Sequence, residues 1–323
     1  MAEPLPSKQH VAGSSPAPRS PCCDDCGPGR RCDEKADAEG PAPPPGGPVT
    51  HLVASCENRA NFAWQACLFA YSALHYAGTP ATLVVHSRGG ALHPWFDLAR
   101  ERAGARVVVA PSFRGPHEYG PRNTAGTLVA LDGVFPASDG IALCDADLIF
   151  VAPLLTRLTP GRIVADYYPV VRTDAPVLDE VVAAYGLDPK EWSALGHSRR
   201  AGVPYVLEAR EALRLGEAWA EAIDVFGRRP FWEAQMTAFA MAAARLKLPI
   251  ELRRTVHVTY RNDQAEGSIV HYGWRCEGWF KHDYYGPEAP GFWRSCDDRA
   301  AAPGTIMDHL FRQVRECRSF YGM

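Results

Sequence analysis

The stretch Gly140–Val151 of this 323-residue chain reads Gly-Ile-Ala-Leu-Cys-Asp-Ala-Asp-Leu-Ile-Phe-Val. An apolar run is followed directly by two carboxylates, Asp145 and Asp147. A short, wholly apolar run is typical of a strand buried on both faces, as in a parallel sheet covered by helices. Ligands of such sheets collect at the carboxyl ends of the strands. We therefore predict a strand that ends in a polar site, with Leu148–Val151 continuing the strand.

The rest of the chain alternates between short apolar runs and segments with helical spacing. The apolar runs predict strands over 49–55, 81–86, 106–110, 162–168, 203–207 and 268–271. The 3.6-residue spacing predicts helices over 61–76, 92–103, 124–135, 176–185, 189–195, 208–226, 231–246 and 308–321. The predicted fold class is α/β, a mostly parallel sheet flanked by helices in one large domain.

Charge and motif content exclude several classes of function. The chain has 34 Lys and Arg against 37 Asp and Glu, a net charge of −3, so it has no global positive field for nucleic acid. No apolar run is long enough for a membrane span, and Met1–His10 lacks the pattern of a signal peptide, so we expect a cytoplasmic protein. The glycine motifs of dinucleotide and P-loop sites are absent.

Residues 1–48 differ from the rest of the chain. They hold eleven of the 28 prolines and no aromatic residue, so they cannot bury enough apolar surface to order themselves. We predict a disordered Pro/Gly/Cys-rich tail over 1–48 and a folded domain over 49–323. The tail also carries Cys22, Cys23, Cys26 and Cys32. Four thiolates can bind zinc, but this compressed spacing favours an unstructured reduced cluster.

Asp145 and Asp147 are the first candidates for chemistry. On extended backbone the two side chains point to opposite faces, but a bend at the strand end can direct both towards one cation. Carboxylate oxygens suit Mn²⁺ or Mg²⁺. His271, in the later apolar segment Ile-Val-His-Tyr-Gly, can complete the coordination. The alternatives are a solvated acidic turn for the carboxylates and a core histidine for His271.

Several local patterns occur in a defined order between residues 51 and 296. They are Phe62-x-Trp64-Gln65, Tyr119–Asn123, Cys144–Leu154, Gly196-His197-Ser198, Val270–Gly273 and Trp279-Phe280-Lys281. In this order the chain resembles glycosyltransferases of GT-A fold, and among them the plant peptidyl hydroxyproline arabinosyltransferases and peptidyl serine galactosyltransferases.

The resemblance implies a metal-dependent transferase that moves a sugar from a nucleotide sugar, UDP-linked in our expectation. The acceptor would be a hydroxyl, either on a hydroxyproline or serine of a peptide or on a small molecule. The metal ligands would be Asp145, Asp147 and His271. The donor-binding candidates are Arg122, Asn123, Asp145, Ser198 and Lys281, with Lys281 at the diphosphate. Arg122 can equally be a surface arginine, and Asn123 a helix cap.

The chain departs from the family's pattern at three points, the first being His197, where the family usually has asparagine. In Trp232–Met236, Gln235 stands where the family has glutamate, which leaves the general base unassigned; the candidates are Asp166, Glu233 and Gln235. The family's membrane anchor is not seen. Two other functions remain open: a nucleotidyltransferase or phosphotransferase using the same carboxylates, and a non-catalytic protein that binds a sugar or peptide.

Overall fold

The computed structural model describes residues 48–154, 158–168, 176–227, 234–253, 256–258, 264–265 and 267–323. The predicted tail over 1–48 and its cysteine cluster therefore lie outside the described residues, apart from Pro48. So does Glu233. Among the helices of the described residues, none has the length and apolarity that crossing a bilayer requires.

A seven-stranded sheet forms the centre of the fold, with the order β3-β2-β1-β4-β7-β6-β8. Its strands are β1 (Thr50–Glu57), β2 (Thr82–Ser87), β3 (Arg106–Pro111), β4 (Gly140–Asp145), β6 (Ile163–Tyr167), β7 (Ala201–Glu208) and β8 (Ile250–Arg253). β7 runs antiparallel to β4 and β6, and every other pairing is parallel. The predicted α/β class with a mostly parallel sheet is confirmed.

Eight α-helices connect and flank these strands in the described residues. They are α1 (Ala60–His75), α2 (Pro94–Ala103), α3 (Arg122–Ala130), α4 (Pro176–Ala184), α5 (Pro189–Ala194), α6 (Ala212–Val225), α7 (Ala234–Arg245) and α8 (Ile306–Tyr321). The interior of α1 is buried along its whole length, from Ala63 to Ala73. β1 and β2 are buried along most of their length, and both α1 and α3 pack against β1, which is why these strands are apolar; β3, at the edge of the sheet, stays largely exposed.

The predicted continuation of the β4 strand to Val151 is wrong. The chain turns at Ala146-Asp147 and enters a second sheet of three strands, β5 (Leu148–Phe150), β10 (Ile269–His271) and β9 (Val256–Val258), in the order β5-β10-β9. Side chains fix this exit because the Ser72 hydroxyl accepts the Phe150 N–H at 3.1 Å. The Gln313 amide of α8 donates to the Phe150 carbonyl at 2.7 Å.

Two predicted helices are shorter than expected, and two strands were not predicted. α3 ends at Ala130 and not at 135, because the turn that follows places Gly133 in the left-handed region at φ +66°. α6 begins at Ala212 and not at 208, because Glu208 pairs with Gly140 in the sheet. β8 (Ile-Glu-Leu-Arg) and β9 (Val-His-Val) alternate apolar and polar residues, but with four and three residues they are too short for the pattern to stand out.

Close packing of α3 against α6 depends on one glycine. A Cβ on Gly216 would lie 2.9 Å from the Ala125 carbonyl oxygen and 2.9 Å from Val129 Cγ2. Both distances are too short for ordinary contact, and the carbonyl belongs to a helix that cannot move locally. The two helices would therefore have to separate to admit a side chain at this position.

We expect Gly216→Ala to lower the free energy of unfolding by about 1–2 kcal/mol, because overpacking outweighs the gain in helix propensity. Urea denaturation followed by circular dichroism measures the change. Gly291→Ala is the control, since a Cβ there meets no atom within 4 Å, and we expect a change within about 0.5 kcal/mol. Equal stability of the Gly216 variant and the wild type would contradict the close approach of the two helices.

Candidate metal centre and its cleft

Three metal-ligating side chains meet where the two sheets separate. Asp145 ends β4, Asp147 precedes β5 and His271 ends β10. One ligand atom from each lies within 4.8 Å of the others, and the His271 Nε2 atom is 3.1 Å from Asp147 Oδ2. Asp147 and His271 are buried and Asp145 is partly exposed. The convergence predicted from the sequence is therefore confirmed.

Two residues two positions apart would keep their side chains apart only if the strand continued unbent, and the turn at Ala146-Asp147 bends it between Asp145 and Asp147. Because the chain bends there, both side chains reach the same point. The second sheet adds the histidine: His271 lies opposite Leu148 in the antiparallel β5–β10 pair. The Tyr272 N–H also donates to the Asp147 carbonyl at 3.3 Å. Backbone pairing thus brings together residues that are 124 positions apart.

Lys281 joins this group from the segment that follows β10. It begins a short 3₁₀ turn, Lys281–Tyr284, and its ammonium forms an ion pair with the same Asp147 Oδ2 atom that contacts His271. The Lys281 side chain is only 12% exposed. Asp147 therefore receives two donors on one oxygen, and the group contains two carboxylates and one permanent cation.

The pKa values reflect this crowding. Burial, and then the charge of Asp147, raise the pKa of Asp145 to about 6. Burial also acts to raise the pKa of Asp147, but His271 and Lys281 outweigh it, and the pKa is lowered well below its usual range. For His271 and Lys281, burial acts to lower the pKa, and Asp147 reverses the direction for both. Asp147 is therefore stabilised as a carboxylate, whereas burial and the charge of Asp147 make ionisation of Asp145 unfavourable.

The donor set fits a divalent metal ion. Two carboxylates and an imidazole suit Mn²⁺, Mg²⁺ or another divalent first-row ion. The Asp145 backbone pairs with β1, but its carboxylate has no hydrogen bond or ion pair with a described residue, so its oxygens are available to a cation. Among the described residues this is also the single cluster of three such groups with the required proximity.

A cleft of about 660 Å³ opens beside these residues. Its lining includes Asp145, Asp147, Lys281, Gln235 and Tyr285. Gln65 donates through Nε2 to the Tyr285 hydroxyl at 3.3 Å, which ties α1 to the 3₁₀ segment. This volume lies within the range of small-molecule sites, and Asp145 and Asp147 form part of one wall. The cleft lies at the carboxyl ends of β1 and β4, where the sequence predicted a polar site.

Glu57 organises the neighbouring part of the cleft and was not among the predicted site residues. Arg114 donates to both Glu57 oxygens, with the Nε–Oε1 bond at 2.8 Å, and Arg59 lies 3.2 Å away. Asn123 is the third residue in contact with this carboxylate. A smaller cavity of about 130 Å³ lies on the other side of Glu57 and Arg114, at the ends of β1 and β2. The ion pair therefore forms a wall between two cavities.

Asn123 lines the cleft, but its amide is already engaged. Its Oδ1 accepts the Phe113 N–H at 2.7 Å, and its Nδ2 donates to Glu57 Oε1 at 2.8 Å. It does not cap α3, where the residue before the helix is Pro121. The amide holds the loop after β3 against Glu57. These two bonds use one Nδ2 hydrogen and one Oδ1 lone pair, so the amide keeps a second donor and a second acceptor position.

Two predicted donor-binding residues do not line the cleft. Arg122 turns away to pair with Asp224 of α6, at 2.9 and 2.7 Å, and to donate to the Phe113 carbonyl. Ser198 lies in the 3₁₀ segment Gly196–Arg200 and donates to the Ile250 carbonyl at 3.2 Å. Both side chains have partners within the fold and neither lines the cleft, so the structure does not bring them to the metal ligands, and their binding of the donor stays a prediction.

Of the candidates for a general base, one faces the cleft. Gln235 lines it near the start of α7, and its Oε1 has no hydrogen-bond partner among the described residues. Asp166 is buried in β6 at an irregularity of the β6–β7 pairing and does not line the cleft. Glu233 is outside the described residues. An amide cannot accept a proton at neutral pH, so Gln235 can orient a ligand but cannot act as its base.

Comparisons with known proteins add no assignment. No model of a known protein family matches the chain, and no curated protein is significantly similar to it. The site's chemistry therefore has to be inferred from its geometry.

We expect Asp145→Asn to abolish Mn²⁺ binding and yet stabilise the metal-free protein by about 1–2 kcal/mol at pH 7.5. The negative charge of Asp145 is needed to bind the metal. Without a metal that charge is unfavourable, because burial and Asp147 raise the pKa of Asp145, so its removal stabilises the fold. Calorimetric titration with Mn²⁺ and urea denaturation give the two quantities. Asp132→Asn is the control, since that carboxylate is exposed. A destabilised variant that still binds Mn²⁺ would refute the site.

Gly273 gives a second test, because a Cβ there would lie 3.2 Å from His271 Nε2. Gly273→Ala should weaken Mn²⁺ binding by roughly tenfold or more, the scale of an outer-shell change. Its circular dichroism spectrum should match that of the wild type, with Gly291→Ala as the control. Unchanged Mn²⁺ affinity in a folded variant would mean that the metal does not contact Nε2.

Proposed function

We propose that the protein is a metal-dependent glycosyltransferase of GT-A type that transfers a sugar from a UDP-sugar to a hydroxyl acceptor. The carrying observation is the convergence of Asp145, Asp147 and His271 at the carboxyl edge of a mostly parallel sheet, beside a cleft of about 660 Å³. The ordered motifs that resemble the peptidyl arabinosyltransferases and galactosyltransferases support the same activity.

The residues have distinct tasks in this proposal. Asp145, Asp147 and His271 hold Mn²⁺ or Mg²⁺, and the metal, when bound, offsets the charge of the departing nucleoside diphosphate. Lys281 adds a point charge at the same wall of the cleft. Asn123 and Arg114 keep Glu57 in place beside the donor. Gln235 offers an amide to a hydroxyl of the transferred sugar or the acceptor.

The acceptor hydroxyl has to lose a proton, and the described cleft supplies no independent base. Its carboxylates are Glu57, which is bound by Arg114 and Asn123, and the two metal ligands. The base is therefore either a group of the donor itself or a residue outside the described ranges, of which Glu233 is the candidate from the sequence. The first case retains the configuration of the sugar, and the second inverts it.

A screen of nucleotide sugars with Mn²⁺ tests the activity. We expect release of nucleoside diphosphate from at least one UDP-sugar, and a loss of about 100-fold or more in Asp147→Asn, because removal of one metal ligand removes the charge that stabilises the leaving group. Asp132→Asn should retain wild-type activity. Chelation of the metal should abolish release, and added Mn²⁺ should restore it.

Two results would overturn the proposal. Release of pyrophosphate in place of nucleoside diphosphate would assign the same carboxylates to nucleotidyl transfer. A protein that turns over no donor in the screen, while the Asp147 variant binds donors as the wild type does, would be a binding protein.

A further inference from the structure

We propose that Lys281 holds the place of the divalent cation at Asp147, that a metal displaces it, and that a phosphate-bearing ligand then pairs with the displaced ammonium. The inference deepens the proposed function and rests on it for the identity of the ligand, a nucleoside diphosphate. The observation that carries it is a shared atom: His271 Nε2 and Lys281 Nζ both contact Asp147 Oδ2.

The shared oxygen creates a competition. A metal held by Asp145, Asp147 and His271 has to approach Asp147, where the Lys281 ammonium already forms an ion pair. With Lys281 in place, a divalent ion would bring three positive charges to two carboxylates within a few ångströms. Like charges at this distance repel strongly in a partly buried site. The metal therefore binds well only if the ammonium leaves.

Once displaced, the ammonium needs another anionic partner. Lys281 lines the cleft, and the one carboxylate there besides the metal ligands, among the described residues, is Glu57, which is engaged by Arg114. A phosphate group in the cleft supplies the partner. The metal frees the Lys281 ammonium to pair with the phosphate, and the phosphate stabilises the displaced ammonium. Each ligand therefore increases the affinity for the other.

The residue type suits this exchange. Lysine is rare in this chain, which has five lysines among 34 basic residues, the others being arginines. An ammonium is a compact point charge similar to a small cation, whereas the planar guanidinium of arginine forms a bidentate pair with a carboxylate. A lysine at position 281 can therefore pair with Asp147 in place of a metal and is displaced more easily than an arginine would be.

The variant Lys281→Met gives effects of opposite sign. We expect calorimetry to show that Mn²⁺ alone binds at least about tenfold more tightly than in the wild type, the effect that one neighbouring charge has on proton affinity. UDP in the presence of saturating Mn²⁺ should bind at least about tenfold more weakly, because the phosphate has lost its partner. Lys190→Met, at an exposed lysine, is the control for both.

Wild-type protein provides a measurement that does not depend on folding of the variant. An amine-reactive reagent followed by mass spectrometry should label Lys281 faster after Mn²⁺ is added, while Lys190 and Lys247 react at constant rates. Addition of UDP to the Mn²⁺-bound protein should protect Lys281 again. Magnesium serves as a second metal probe in the same assay.

The outcomes separate the exchange from the proposed activity. Unchanged or weaker Mn²⁺ affinity in Lys281→Met, or labelling of Lys281 that does not respond to Mn²⁺, would overturn the exchange, and neither measurement uses a nucleotide sugar. Undiminished binding of UDP with Mn²⁺ in the variant would overturn the role of the phosphate. A failed donor screen beside the expected Mn²⁺ results would reject the glycosyltransferase alone.

Discussion

The buried carboxylate of Asp147 has to be compensated, and much of the surrounding structure serves that need. A buried charge is costly unless it is paired and hydrogen-bonded. Here the compensation comes from two distant parts of the chain, the end of β10 and the turn that begins at Lys281. Both parts must be held in position for this compensation, so the contacts that support them contribute to the site.

The aromatic segment after β10 is such a support. The Trp64 indole of α1 donates to the Tyr284 carbonyl at 3.2 Å and stacks on Phe292 with ring centroids 3.8 Å apart. Gln65 contacts the Tyr285 hydroxyl from the next position of the same helix. Two motifs that are far apart in sequence, Trp64-Gln65 and Trp279-Phe280-Lys281, are therefore joined in one unit. These contacts give a physical reason for the occurrence of both motifs in one chain: Trp64 and Gln65 hold the segment that carries Lys281.

The sequence predicted those features that depend on local patterns. Apolar runs and helical spacing identified the strands and helices of the first half, and strand ends identified Asp145 and Asp147. Features set by distant partners were not predictable in this way. The path of the chain after Asp147 depends on Ser72, Gln313 and β10, and the direction of Arg122 depends on Asp224, 102 residues later. Glu57 was not predicted as a site residue because its role depends on Arg114 and Asn123, which are 57 and 66 residues away in the sequence.

The bond between Gln313 of α8 and the Phe150 carbonyl of β5 has a consequence for the order of folding. The contacts that complete the metal group span 124, 134 and 163 residues, so they form late relative to the local pairings of β1, β2 and β3. A partly folded chain with the first four strands in place has both aspartates but lacks the histidine, the lysine and the support of β5. Capture of a metal by this group therefore reports that nearly the whole chain has reached its native topology.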